Sequence, residues 1–507
     1  ELDESLGYIK GRDSYLVLDV KNTTTDFSRW SFPNGVGASA LIKRVEIYSR
    51  STGQLLEALH NYNMWAGIES QYSRDDFSSK QRREGTGSPS YQYNNGYTTA
   101  GAEYRQLAQM HQAEIVNSLV SPLGSDEKTP KYFARRFCIP VKSGIFSRWW
   151  NEEKLCPVLN FGGLRMVFTF APNEEVCKRP GFVPRLPADT KPLMARSLVS
   201  VGIKCLNQGG GSLDNFQTND THETGYFDKN QDLGLVVGQK ITITSGPGGA
   251  RVSATKTITD IAAEGGTLGR WKITITPASA APLEDDLIIT ADTSVKPSYE
   301  VVNAELRVLQ MVVARDGMDK LSKPMKYEFC SYDAFLNTLP TGVLRHQVPI
   351  PSVASRAKAV FSHFVGSNNE ALQDDKTYYS GLSPTELNLN SVQLFVNNRL
   401  YPLSAINPDK NKDKPLSLNE LVKSMNAISK APMNLGSNEK GQLLDYSNTF
   451  LYSRELARGD FVFELQNAEP EVRMSFSGTR ANICRVNTFV FSNKVVNTTP
   501  QGILVEL

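Results

Sequence analysis

The sequence predicts an all-β protein with two large domains, and three observations support this. Short runs of alternating apolar and polar residues, rich in β-branched and aromatic side chains, recur through both halves of the chain. Helical patterns are few. A chain of 507 residues is too long for a single core, because one core stops growing at roughly 250–300 residues. The runs that predict strands are 15–20, 40–48, 164–170, 301–313, 392–396, 461–465 and 486–491.

The composition along the chain predicts two unequal domains. We expect a first domain over residues 1–325 and a linker with the second domain over residues 326–507. Residues 71–101 are polar and poor in aliphatic side chains, which predicts a long exposed loop. About residues 230–296, repeated patterns such as KITIT and WKITIT are separated by glycine-rich turns. This pattern predicts a small β-barrel or sandwich inserted in the first domain.

Two short segments have helical spacing. Between residues 103 and 119, Leu107, Met110, Ile115 and Leu119 share one helical face. Over residues 417–428, Ser417 is placed to cap a helix, because Glu420 follows it three residues on in a capping-box arrangement. We expect both to be short helices in connections between strands.

Charge and motif spacing argue against several functional classes. Lys plus Arg number 55 against 53 Asp plus Glu, so the basic footprint of a nucleic-acid-binding protein is missing. No run approaches the roughly 18 apolar residues of a membrane helix. The five histidines and six cysteines show no zinc-ligand spacing, and no GxSxG or P-loop motif occurs. We therefore predict no enzyme, no catalytic residue, no metal and no cofactor.

The adjacent pair Trp149 and Trp150 has two interpretations. Aromatic faces bind sugar rings, so the pair could form a glycan platform. Large aromatic side chains also concentrate in cores and subunit interfaces, and this interpretation is favoured.

Several segments resemble the double jelly-roll major capsid proteins of polinton-like viruses and virophages, a double-stranded DNA virus lineage. They follow one another in the family's order and cover roughly four fifths of the chain, outside the polar loop and the insertion. The segments are ALIKRVEIY (40–48) with Glu57 and Asn61-Tyr62-Asn63, LCPV (155–158) leading into LRMVFTF (164–170), QVPIP (347–351), VNNRLYPL (396–403), FSG (476–478) and TPQGILV (499–505). Val158 departs from the family's usual leucine.

The resemblance implies two consecutive antiparallel β jelly rolls. It also implies a homotrimer with six rolls, which gives a pseudo-hexagonal capsomer that packs against neighbouring capsomers in an icosahedral virion shell. Penton and minor capsid proteins are the further partners implied, and a host receptor would be contacted through outer loops. No sequence-specific nucleic-acid binding is expected.

Two other functions stay open at the level of sequence. One is a β-sandwich lectin or adhesin that binds glycans through the inserted unit and the Trp149–Trp150 pair. The other is a polysaccharide-degrading enzyme, which would need two carboxylates facing each other across a groove. The carboxylate doublets of this chain are adjacent residues, and neighbouring residues of a strand point to opposite faces.

Overall fold

The computed structural model describes the chain in separate stretches. They are residues 1–25, 30, 32, 36–72, 85, 92–94, 98–99, 102–103, 106–108, 134–147, 155–177, 224–228, 238, 240–245, 251–252, 255–264, 270–276, 288–291, 295–311, 324–366, 389–407, 414–428, 451–457, 463–477, 484–499 and 502–506.

Strands dominate the described residues. Those before residue 312 are β1 (Tyr8–Ile9), β2 (Tyr15–Asn22), β3 (Ile42–Ser49), β4 (Leu55–His60), β5 (Gln92–Asn94), β6 (Thr98–Thr99), β7 (Ala102–Glu103), β8 (Gln106–Ala108), β9 (Ala134–Pro140), β10 (Leu164–Phe170), β11 (Thr224–Asp228), β12 (Lys240–Ser245), β13 (Arg251–Val252), β14 (Lys256–Glu264), β15 (Arg270–Thr276), β16 (Ile288–Ala291), β17 (Tyr299–Arg307) and β18 (Gln310–Met311).

The strands after residue 325 are β19 (Lys326–Leu339), β20 (Arg345–Pro349), β21 (Ala357–Gly366), β22 (Leu389–Val396), β23 (Arg399–Ile406), β24 (Tyr452–Glu455), β25 (Glu471–Phe476), β26 (Cys484–Thr499) and β27 (Gly502–Glu506). The described α-helices are α1 (Tyr62–Tyr72), α2 (Asn173–Val176) and α3 (Lys414–Ile428).

The strand order after residue 325 is that of a jelly roll. Its two antiparallel sheets are ordered β19-β26-β21-β24 and β20-β25-β22-β23. Numbered first to eighth along the chain, β19 to β26 therefore pair as first-eighth-third-sixth and second-seventh-fourth-fifth. Two packed antiparallel sheets connected in this way enclose a core between them and protect their edges. We call this unit the second roll.

The first half of the chain repeats most of this order. Its two sheets are β17-β2-β9 and β10-β3-β4. These six strands match, in chain order, the third to eighth strands of the second roll. By that numbering, β17-β2-β9 is ordered eighth-third-sixth and β10-β3-β4 is ordered seventh-fourth-fifth. We call this unit the first roll. The prediction of an all-β chain with two consecutive antiparallel jelly rolls is confirmed.

A six-stranded antiparallel sheet is inserted between β10 and β17. Its strands are ordered β11-β15-β14-β12-β13, with β16 paired to β12. It begins at β11, which is earlier than the predicted start near residue 230. The domain boundary between residues 325 and 326 and the closure of the insertion into a barrel or sandwich stay predictions.

The helix predictions had mixed outcomes. Helix α3 confirms the second, but it begins at Lys414. Ser417 therefore lies inside the helix and does not cap it. The helix can begin before Ser417 because Pro415 is compatible with a first helical turn. The predicted helix 103–119 is wrong at Glu103 and residues 106–108, which are strand. There β7 and β8 pair with β6 and β5, and strand pairing outweighs a local periodicity.

Two further predictions needed correction. Inside the predicted loop 71–101, α1 continues to Tyr72 and β5 and β6 form short strands; the remainder of that loop lies almost entirely outside the described residues. No strand forms over residues 463–465. Those residues instead bond the connection before β21 and the first residue of β21, since Leu465 N–H donates to Ala354 O and Phe463 O accepts from Ala357 N–H.

The second roll has its own core, which predicts a contrast between two leucines. Leu394 on β22 is fully buried, whereas Leu336 on β19 is 52% exposed. We expect Leu394→Ala to lower the free energy of unfolding by about 2–5 kcal/mol, measured by urea denaturation. Leu336→Ala should change it by less than about 0.5 kcal/mol. Equal effects of the two substitutions would contradict this assignment of the core.

Candidate functional site

The two rolls meet at a buried aromatic junction. Trp65 on α1 of the first roll is 1% exposed and contacts four rings of the second roll. Its ring centroid lies 4.5 Å from Phe491, 5.2 Å from Phe361, 5.4 Å from Phe489 and 5.8 Å from Tyr332. Aromatic rings at such separations attract each other in addition to the apolar area that they bury.

The junction exists because one sheet of the second roll is buried on both faces. Successive side chains of a strand point to opposite faces. Along β26, Phe489 and Phe491 belong to the core cluster shared with the first roll, whereas Val490 belongs to the core of the second roll. Along β21, Phe361 belongs to the shared core cluster and Val360 to the core of the second roll. The sheet is therefore the common wall of two cores.

A buried carboxylate crosses the same junction. Glu57 on β4 is 2% exposed. Its Oε1 accepts hydrogen bonds from Ser331 Oγ of the second roll at 2.6 Å and from Gly144 N–H at 2.9 Å, and its Oε2 accepts from Ile145 N–H at 3.1 Å. Burial raises the pKa of Glu57 above the ordinary carboxyl value, while these donors and the charge of Lys494 oppose that rise.

The backbones of the two rolls also approach each other closely here. Tyr327 Oη of β19 donates to Ile145 O at 3.0 Å. A Cβ atom on Gly144 would lie 2.0 Å from Cys330 O, so this approach requires glycine. Polar contacts of this kind hold the two units in one register, because each buried donor or acceptor would be unsatisfied in any other arrangement.

The Asn61-Tyr62-Asn63 segment positions α1. Asn61 has a positive φ of 51°, and its carbonyl accepts from the N–H groups of Met64 and Trp65. Tyr62 Oη accepts from Lys142 N–H at 2.9 Å. Asn63 Nδ2 donates to Glu175 Oε2 at 2.8 Å. These bonds tie the start of the helix to the segment that follows β9 and to α2, so that Trp65 is directed at the second roll.

Helix α3 occupies the matching place in the second roll. It lies between the fifth and sixth strands, as α1 does in the first roll. Glu420, 5% exposed, accepts from Arg454 Nη1 at 2.5 Å and pairs with Lys423 at 3.1 Å. Leu421 and Met425 join the core cluster that contains Trp65. Both helices therefore take part in one continuous core.

Of the residues named in the sequence analysis, Glu57 and the segment Asn61-Tyr62-Asn63 lie at this junction. Trp149 and Trp150 lie outside the described residues, so their assignment as interface or glycan contacts stays a prediction. Sequence reasoning did not single out Trp65. The one local signal was the TFVF run at 488–491, since a strand with consecutive apolar residues is typical of a sheet buried on both faces.

Within the described stretches, no group of three or more His, Cys, Asp or Glu side chains is placed to bind a metal ion. Over the same stretches, no helix has the length and apolar character that crossing a membrane requires.

Comparison with known proteins found similarity in solved structures alone. No protein-family model matches the chain, and no curated protein matches it. The Faustovirus major capsid protein aligns over 93% of this chain and 74% of its own, with a TM-score of 0.47 and 10% identity. The PBCV-1 virus capsid aligns over 99% and 90%, with a TM-score of 0.42 and 9% identity.

The Sputnik virophage structure aligns over 99% of this chain and 84% of its own, with a TM-score of 0.39 and 10% identity. These are likenesses of overall shape at low identity. The fold assigned to this chain rests on its own strand order.

Removal of the Trp65 side chain tests the junction. Because one core cluster spans both rolls, we expect the wild-type rolls to unfold in a single heat transition. Trp65→Ala should cost about 3–5 kcal/mol and separate that transition into two by calorimetry. Trp30→Ala is the matched control, because Trp30 is also buried but contacts Phe32 and Tyr299 within the first roll. It should destabilise without separating the transition.

Glu57 predicts a pH dependence of stability. Its folded pKa is raised, so its contribution to stability is complete below the unfolded carboxyl pKa and is lost as the pH rises through the folded pKa. Over that interval the free energy of unfolding should fall by up to about 1.4 kcal/mol per pH unit for this one group. Glu57→Gln should remove this component of the slope.

Ser331→Ala serves as the second variant. Losing this donor leaves the Glu57 carboxylate less stabilised, so the interval should extend to higher pH. The measurement is urea denaturation at a series of pH values. An unchanged slope in Glu57→Gln would show that Glu57 does not titrate in this way.

Proposed function

We propose that this chain is a major capsid protein that self-associates as a homotrimer and tiles an icosahedral virion shell. The observation that carries the proposal is the pair of jelly rolls with the same strand order, joined into one block by the Trp65 and Glu57 junction. Three such blocks place six similar rolls around one axis. Six similar units around an axis make a nearly hexagonal tile, which can repeat on a closed shell.

Exposed apolar side chains supply candidate contact surfaces. On the second roll these are Leu336, Val343, Leu344 and Val353, each more than 40% exposed, and on the first roll Val302 and Leu309 are similarly exposed. The centres of obligate interfaces are apolar and lose this exposure on assembly. The near balance of charge supports a function in self-association, in place of attraction to nucleic acid.

The finer features of this function belong to the same proposal. Penton and minor capsid proteins would contact the rims of the trimer, and a host receptor would contact outer loops. The chain would act without catalysis. No described residue favours the glycan-binding alternative, because Trp149 and Trp150 lie outside the described stretches.

The oligomeric state tests the proposal directly. We expect the purified chain to have three times the mass of one 56.1 kDa chain by light scattering, and the mass should not fall on dilution to micromolar concentration, since obligate interfaces bury more than about 2,000 Å². Electron microscopy of the assembled material should show pseudo-hexagonal units on an icosahedral lattice. A stable monomer that forms no particles would contradict the proposed function.

A further inference from the structure

The two rolls differ at the outer edge of one strand. In the second roll, the seventh strand β25 has a partner on each side, β22 and β20. In the first roll, the seventh strand β10 pairs with β3 on one side. On its other side the described chain supplies only Leu2, whose N–H donates to Leu164 O at 2.7 Å and whose carbonyl accepts from Leu164 N–H at 2.9 Å.

Burial along β10 follows this difference. The core-facing side chains of β10 are Leu164, Met166, Phe168 and Phe170. Leu164, beside Leu2, is fully buried, Met166 and Phe168 are only partly buried, and Phe170 is 39% exposed. The core-facing side chains of the equivalent β25 are all at most 4% exposed, namely Val472, Met474 and Phe476. The core-facing side chains of β10 therefore become more exposed with distance from Leu2.

The backbone N–H groups at this edge also lack a described strand beyond Leu2. Leu164 donates its N–H outward to Leu2, and alternate residues of a strand donate to the same side. The N–H groups of Met166 and Phe168 therefore point to the edge that no described strand covers. An open row of this kind is a template for another strand.

The register identifies which strand fits. The Leu2 to Leu164 bridge is antiparallel, so each step forward along β10 is matched by a step backward from Leu2. Glu1 falls opposite Arg165, and positions from Met166 to Phe170 fall opposite residues that would precede Glu1. Chain connectivity agrees, since in the second roll β19 and β20 directly precede the third strand.

We propose that the edge of β10 binds an antiparallel strand formed by residues directly upstream of Glu1 in the natural chain. This strand takes the place that β20 has in the second roll. The outer edge of β17 also lacks a described strand, where the equivalent β26 pairs with β19. An upstream segment comparable to residues 326–349 would thus complete both sheets of the first roll. The proposal rests on strand order and not on the function of the assembled protein.

Hydrogen exchange measured by NMR tests this placement. Two proteins are compared, the 507-residue chain and the same chain extended by the residues that its gene encodes before Glu1. The amides of Met166 and Phe168 should exchange rapidly in the first and at least about tenfold more slowly in the second. Those of Arg165 and Val167, which point to β3, should be protected in both and serve as internal controls.

A pair of substitutions at Leu2 tests the register within the extended chain. Leu2→Pro and Leu2→Ala both remove the leucine side chain, but only proline also removes the N–H that bonds Leu164 O. Protection at Met166 and Phe168 should be lost in Leu2→Pro and retained in Leu2→Ala. Equal protection in these two variants would overturn the proposed register.

Three other outcomes would overturn the proposal. Protection of Met166 and Phe168 already present in the 507-residue chain would mean that another part of the chain covers the edge. Protection that rises with protein concentration would assign the edge to a second copy. Rapid exchange in the extended chain, or a gene that encodes no residues before Glu1 beyond an initiating methionine, would show that no upstream strand binds there.

Discussion

The sheet β19-β26-β21-β24 belongs to two cores at once, and the rest of the architecture depends on this. One of its faces closes the second roll with Val360 and Val490, and the other receives Trp65 through Phe361, Phe489 and Phe491. Because protein interiors are close-packed, a wall shared in this way cannot shift for one core without disturbing the other. The two rolls are consequently one mechanical unit.

Polar contacts specify how this unit is assembled. An aromatic surface alone would tolerate some sliding, since burial of apolar area has no direction. Glu57 and Ser331, 274 residues apart, meet at 2.6 Å across the junction, and Tyr327 bonds Ile145 O. A buried carboxylate is costly unless its oxygens are satisfied, so the donors from Gly144, Ile145 and Ser331 favour one arrangement over its neighbours. Stability and geometric specificity thus have separate sources at this junction.

The comparison of the two rolls explains why their surfaces differ. Both have a helix between the fifth and sixth strands and the same order of the third to eighth strands. The first roll carries the inserted six-stranded sheet between its seventh and eighth strands, where a connection can lengthen without disturbing the sheets that it joins. The second roll keeps short connections at that point and has both flanking strands in place. The first roll is therefore the more elaborated of the two.

The sequence by itself determined the β character, the presence of two large domains and the helix near residues 417–428, because chain length and period-two and helical patterns can be read directly from it. The jelly-roll form of the two domains was implied only by the family resemblance. It was wrong about a helix at residues 103 and 106–108 and about a strand at residues 463–465, where local pattern competed with partners that only the folded chain supplies. Tertiary structure decided the positions of Trp65 and Glu57, since each acquires its environment from residues that are distant in sequence. In the sequence, Glu57 was named only as part of a segment that resembles the capsid family, and Trp65 was not named. Long-range packing, in which one face of β26 turns toward the other roll, selected them.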